Sequence, residues 1–233
     1  MRTIALAGSV AEASSDVRAL FIRRTYGHLA GAVGAFIALE YLLLQSPVAD
    51  FMLKVAFGTS FGWLGVLAAF MVCGWMARGL ASSTASVPMQ YAGLALYIVA
   101  EAVIFLPLIY LALSMSDPTL LPTAGILTLG LFGGLTMIAF TTRTDYSFLR
   151  GVLTIGGFLA LGLIVCSFIF GFELGLAFSA GMVVLAGAAI LYDTSKIIHS
   201  YNPEQHVAAA LELFASVALL FWYILRILMR ARR

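Results

Sequence analysis

Seven stretches of this sequence, at 26–44, 55–77, 87–113, 120–141, 151–170, 174–198 and 207–228, each stay mostly apolar for about 20 residues. A helix of that length, at about 1.5 Å per residue, crosses the ~30 Å hydrocarbon core of a bilayer. A membrane barrel would instead alternate apolar and polar residues in ten-residue pieces. Only 10% of the 233 residues are charged and 62% are apolar, against about 25% charged in an ordinary soluble domain. So little charge cannot coat a soluble surface. The sequence therefore reads as an all-α, polytopic integral membrane protein, and it excludes a soluble enzyme, a nucleic-acid binder and a disordered chain. The net charge of +2 names no anionic partner; the partner it requires is the lipid bilayer.

Turn chemistry separates the windows. Ser46-Pro47 ends the first, Asp117-Pro118 and Pro122 divide the third from the fourth, and Asn202-Pro203 precedes the seventh. Pro107 lies inside the third window, where it kinks a membrane helix rather than ending it. The expected organisation is a cytoplasmic tail over 1–25 and a seven-helix membrane domain over 26–233. The weakly apolar stretch at 3–10 is short and interrupted by Gly8 and Ser9, so it does not read as a cleaved signal peptide. Of the thirteen Lys and Arg, eight fall on the side of the N-terminal tail and of the loops after spans two, four and six. That excess puts the N-terminus in the cytoplasm. Arg226, Arg230, Arg232 and Arg233 would then lie outside, against the rule, and a six-span reading with a re-entrant segment would return them. Seven spans are preferred because every window is long enough. Small residues four apart, Gly27 with Gly31, Gly130 with Gly134 and Gly171 with Gly175, are expected to let helices pack closely.

Ionisable residues inside the windows carry most of the information, since a charge at mid-membrane costs at least ~2.5 kcal/mol on insertion scales. Glu40 and Arg226 lie near helix ends and are expected to snorkel. Lys196 follows Asp193 by three residues, the spacing of an intrahelical ion pair. Glu101 stands alone in Tyr97-Ile98-Val99-Ala100-Glu101-Ala102-Val103. It is protonated, paired across helices or facing water, and serves either an ion path or a buried hydrogen bond. Glu212 and Ser216 are four apart and share a helix face, and Asp193, followed by Thr194, lies on the preceding span. Meeting in one cavity, these oxygens would suit a hard cation such as calcium, with Asp193 and Glu212 as metal ligands. Two coupled carboxyls also resist ionising together, which makes a pH sensor possible.

Other chemistry is missing. His28, His199 and His206 have no metal-binding spacing, and the two cysteines, Cys73 and Cys166, read as small buried apolar groups. There is no hydrolase or phosphate-binding motif, so neither an enzyme nor a bound cofactor is expected, beyond calcium as a permeating ion.

Three stretches resemble the transmembrane Bax-inhibitor-motif (Bax inhibitor-1) family in its bacterial branch. They are Arg24-Thr25-Tyr26, the run from Thr123-Ala124-Gly125 to Arg150-Gly151 that holds Thr142-Arg143-Thr144-Asp145-Tyr146, and Ile190-Leu191-Tyr192-Asp193-Thr194-Ser195-Lys196 followed by Ala210-Leu211-Glu212-Leu213-Phe214. The resemblance implies six helices around a central seventh. It also implies a calcium leak in a bacterial inner membrane, gated by two aspartates on the last two helices. Asp193 matches the first; the sequence departs at the second, where Ser216 stands with Glu212 one turn away. Bacterial members without that second acid resemble partners of a membrane-embedded AAA protease. Two functions are therefore expected in competition: a pH-modulated calcium-permeable leak channel, or a non-conducting regulator that binds a membrane protease or another membrane complex.

Overall fold

The computed structural model describes residues 8–58, 61–83, 86–115 and 117–232, and no strand occurs among them. Arg2, Arg233 and most of the 3–10 stretch lie outside the described residues. After a short 3-10 turn at Val10–Glu12 come eight helices: α1 (Ser15–Leu44), α2 (Pro47–Gly58), α3 (Gly62–Ala81), α4 (Val87–Ser114), α5 (Leu120–Thr142), α6 (Leu149–Phe170), α7 (Leu176–His199) and α8 (His206–Ala231). Seven of them, all but α2, are long and apolar enough to cross a membrane.

Two boundaries differ from the sequence expectation. The window at 55–77 straddles a break: its first residues close α2, and the membrane span is α3. Helix α2 ends at Gly58 and α3 begins at Gly62, and an average over hydropathy passes across so short an interval. Pro47 opens α2, and the Ser46 hydroxyl accepts the Val48 N–H at 3.2 Å, capping the helix start. At 12 residues α2 is only about 18 Å long. Its buried Ala49, Met52 and Ala56 lie on one face, so it is a half-buried helix lying against the bundle and not a span. The second difference is α1, which begins at Ser15, so the expected border at residue 25 falls inside a continuous helix. The start of the chain is also tied down. Arg18 donates to the carbonyls of Val10 and Ala11 at 3.3 and 2.6 Å, and the Val10 N–H donates to Tyr201 O at 2.8 Å.

Helix α8 is the centre. It touches α1, α3, α4, α5 and α7, and its Leu211, Leu213, Leu220 and Leu225 are almost wholly buried. The alanines at 208–210, together with Ala218, leave room for neighbours on several sides. Lipid tails are as apolar as leucine, so van der Waals closeness holds such helices together more than hydrophobic transfer does. The sixth surrounding helix, α6, leans on α7 and reaches α8 through a small cluster of Ala160, Met182 and Tyr223. The tightest crossing is α3 on α4. A Cβ at Gly93 would stand 2.5 Å from Ala77 O and 2.6 Å from Ala81 N. The glycine pairs singled out by spacing behave differently. Nothing lies within 4 Å of a Cβ built on Gly27, Gly31, Gly130 or Gly134, so these faces are open and do not pack. Gly171 serves as a left-handed cap, with φ +70°, that ends α6. Pro107 does not end α4, which continues to Ser114.

The bundle has two ends. The N-terminal turn meets the 200–205 connection at one, hereafter the N-face. At the other, the C-face, Arg230 reaches Glu173 at 3.5 Å and Leu174 O at 3.3 Å, and Arg232 pairs with Asp117. The C-terminal arginines thus sit opposite the N-terminal turn, as seven crossings require, and two carboxylates neutralise part of the charge that argued for six.

Candidate functional site

A cavity of about 1500 Å³ lies between α3, α4, α6, α7 and α8. Phe172, Glu173, Met229 and Arg230 line it at the C-face; Arg78, Glu101, Asp193, Glu212 and Ser216 line its inner end. The short 200–205 connection makes α7 and α8 antiparallel neighbours, which sets Asp193 opposite Ser216. The Ser216 hydroxyl donates to Asp193 Oδ2 at 2.6 Å, with both residues buried. One turn earlier on the same face, Glu212 Oε2 accepts from Arg78 Nε at 3.1 Å. The Arg78 guanidinium also lies 5.2 Å from the centre of the Tyr97 ring. Glu101 is the next residue on that face of α4, buried and within reach of both the Tyr97 hydroxyl and the Arg78 charge. Three acids from three helices therefore gather around one guanidinium.

The sequence-based candidates fare unequally. Asp193, Glu212, Ser216 and Glu101 do come together. Lys196 does not pair with Asp193; its Nζ sits over the rings of Tyr192 and Tyr201, at 5.5 and 5.0 Å, and turns toward the N-face. Thr194 is fully buried, does not line the cavity, and lies beside the Tyr26 hydroxyl. One residue turns by about 100° relative to the next on a helix, which separates it from Asp193. Glu40 does not snorkel: it is 4% exposed, and neither carboxyl oxygen has a hydrogen-bond partner. Arg226 lines the cavity, stacked 5.9 Å from the Tyr223 ring centre. His206, half-buried, opens α8 with its ring 4.9 Å from that of His28, while His199 bonds Ser195 O at 3.0 Å. Cys73 and Cys166 are free and half-buried, not buried. Sequence reasoning missed Arg78, which it counted only as a flanking charge beyond residue 77. An arginine in the last turn of a span was the available signal.

The inner end of the cavity is sealed on the N-face. Val10, Phe21, Ile197 and Val207 form a fully buried apolar cluster there, and Tyr201 packs on Phe21 with ring centres 6.3 Å apart. Burial and the nearby charges of Glu212 and Asp193 push the Tyr201 phenol up. Among the described residues no group of three or more His, Cys, Asp or Glu is arranged to hold a metal ion. Asp193 and Glu212 offer oxygens to a cation entering from the cavity, but each is already engaged, one by Ser216 and the other by Arg78. Charge attraction and proton exchange are the chemistry this cluster can perform.

Residues 18–233 match the family described as inhibitor of apoptosis-promoting Bax1. The chain belongs to that family. Bax inhibitor 1 of Schizosaccharomyces pombe is 28% identical over 225 residues, 94% of this chain and 79% of that protein. A protein of Escherichia coli named modulator of FtsH protease YccA is 34% identical over 125 residues, 53% of this chain and 56% of its own length. An uncharacterized protein of Pseudomonas aeruginosa is 39% identical over 110 residues, 47% of this chain and 49% of its own. The chain spans about half the length of these two bacterial relatives. This Bax1-family chain is thus an integral membrane protein of seven spans, with Glu101, Asp193 and Glu212 at the closed end of a cavity.

Proposed function

We infer that this Bax1-family protein is a calcium-permeable leak path whose flux responds to pH, and that it is not an enzyme. The observation that carries the reading is the large cavity that ends on Glu101, Asp193 and Glu212. Carboxylates at the end of a water-sized path attract a hard cation and replace part of its hydration shell. In the arrangement described, Arg78 and Ser216 hold two of the acids and the Val10–Phe21–Tyr201 side is shut, so this is a closed state. Opening requires α8 to shift against α3. Protons taken up by the acid cluster would weaken its hold on Arg78, and this gives pH its lever. A serine in place of a second aspartate leaves Asp193 without an acidic partner at hydrogen-bond distance, so the response is flatter than that of a two-carboxylate site. The excess of Lys and Arg at the N-face supports a cytoplasmic N-terminus, and an E. coli relative named inner membrane protein YccA supports the bacterial inner membrane.

The test is calcium flux into liposomes holding the purified protein, between about pH 5 and 8. Flux should fall severalfold in Glu101→Gln and Asp193→Asn and lose its pH response in Glu212→Gln. Wild-type liposomes no leakier than empty ones at any pH would end the reading. A second reading, a non-conducting regulator of a membrane-embedded AAA protease, is favoured by the name of the E. coli relative and by Ser216. Its signature would be co-purification with such a protease and slower turnover of the protease's substrates, without flux.

A further inference from the structure

Beside the N-face end of α1 lies a second concavity, about 520 Å³, between α1 and α4. Its floor is the open glycine face: Gly27 and Gly31, one turn apart, leave space where side chains would stand, and Leu94 and Ile98 form the opposite apolar wall. Its mouth holds Arg23 and Arg24, both exposed and neither within salt-bridge distance of a carboxylate among the described residues. This contrasts with the C-face, where Arg230 and Arg232 are each paired. His28 fixes the wall between mouth and floor. One of its ring nitrogens bonds Arg24 O and the other the Tyr91 hydroxyl, each at 2.7 Å, so it tethers α1 to α4 at the level where tyrosines meet lipid headgroups. From Arg24 to Gly31 the groove descends seven residues, about 10 Å along the helix.

We propose that this groove binds one anionic phospholipid, with its phosphate on Arg23 and Arg24 and the upper part of an acyl chain lying on Gly27 and Gly31. Guanidinium groups match phosphate oxygens in pairs, and a basic pocket above an apolar slot between membrane helices is suited to such a headgroup. The missing Cβ atoms matter because an acyl chain needs a channel and not a ridge. Charge complementarity commits the site to an anionic lipid: a zwitterionic one brings an ammonium group that two arginines repel. The open glycines then have a use that helix packing does not supply.

Native mass spectrometry of the intact protein in detergent, titrated with dioleoyl phosphatidylglycerol or dioleoyl phosphatidylcholine, tests this. The wild type should retain one phosphatidylglycerol in preference to phosphatidylcholine. The preference should fall about fivefold for Arg23→Gln or Arg24→Gln and about 25-fold when both are changed. Gly31→Leu, which fills the floor, should reduce retention of both lipids while leaving the arginines in place. If the double arginine variant does not fold, Gly31→Leu decides alone. Equal retention of the two lipids by the wild type, an unchanged preference without the arginines, or unchanged binding in Gly31→Leu would each overturn the proposal. So would a spectrum dominated by two chains that Gly31→Leu dissociates, since that would give the groove to a second copy of the protein.

Discussion

Gly93→Ala adds one carbon at the tightest crossing in the bundle, and its effect can be worked from distances. The new Cβ would lie 2.5 Å from Ala77 O and 2.6 Å from Ala81 N, where real Cβ contacts essentially never fall below 3.0 Å. Both obstacles are backbone, which no rotamer change removes, so α3 and α4 must part by about 0.5 Å or more. Overpacking of this kind costs about 1–3 kcal/mol, and contact with rigid backbone favours the upper end. Alanine returns about 1 kcal/mol through its better helix propensity. The net loss is then about 1–2 kcal/mol, or a fall of ~2–8 °C in thermal midpoint for a chain of this size. Gly27→Ala is the matched control: nothing lies within 4 Å of its Cβ, so only the propensity gain remains and the midpoint should rise. The assay is thermal unfolding of both variants in the same detergent, followed by tryptophan fluorescence. The same displacement moves α3 against α4, so Arg78 should shift over Tyr97 and resting calcium leak should change in Gly93→Ala only. Midpoints that move in the same direction in the two variants would refute the reasoning.

Three other outcomes follow from the same geometry. Glu40→Met removes two buried acceptors that have no partner and should raise stability by about 1–3 kcal/mol; a lower midpoint would mean that the carboxyl is satisfied after all. Ser216→Ala deletes one buried hydrogen bond whose two partners both border the cavity, so water replaces part of it and the loss should be ~1 kcal/mol by thermal unfolding; a loss above about 3 kcal/mol would make the bond a pillar of the fold. Tyr201 is held up in the folded protein, whereas the unfolded chain releases its phenolic proton near pH 10, so the unfolded state binds fewer protons above that pH and stability falls as pH rises. Tyr201→Phe should flatten the alkaline limb of a stability-against-pH curve, and an unaltered limb would assign it to other groups.

What could be read in advance was whatever a single helix decides alone. Length and apolar content locate five of the seven spans closely, because a bilayer tests each segment separately. The same averaging fails at 55–77, where the end of α2 at Gly58 and the start of α3 at Gly62 fall inside one apolar window. Asp193, Glu212 and Ser216 were legible because one face of α8 and a short connection bring them together. Arg78 was not, since its partner is 134 residues away and nothing local marks the pair. Glu40 failed for the converse reason: nearness to a helix end permits snorkelling only if the side chain reaches water, and here it is buried in the bundle. The glycine pairs failed because spacing gives a face without saying what lies opposite.

The helix on which five others rest comes after all of them in the chain. During synthesis α1 to α7 enter the bilayer while the space that α8 will fill is still unclaimed, and Arg78 waits in α3 for an acid encoded 134 residues later. The bundle therefore cannot mature by adding helices one at a time onto a finished partner. Close pairs such as α3 with α4 can form early, but the set around the centre stays open, shielded by the insertion machinery or by lipid, until the last helix arrives and closes it. A polypeptide stalled or cut before residue 206 would keep nearly every hydrophobic span and still lack an interior. Quality control in the membrane would then meet a chain that is inserted but not folded.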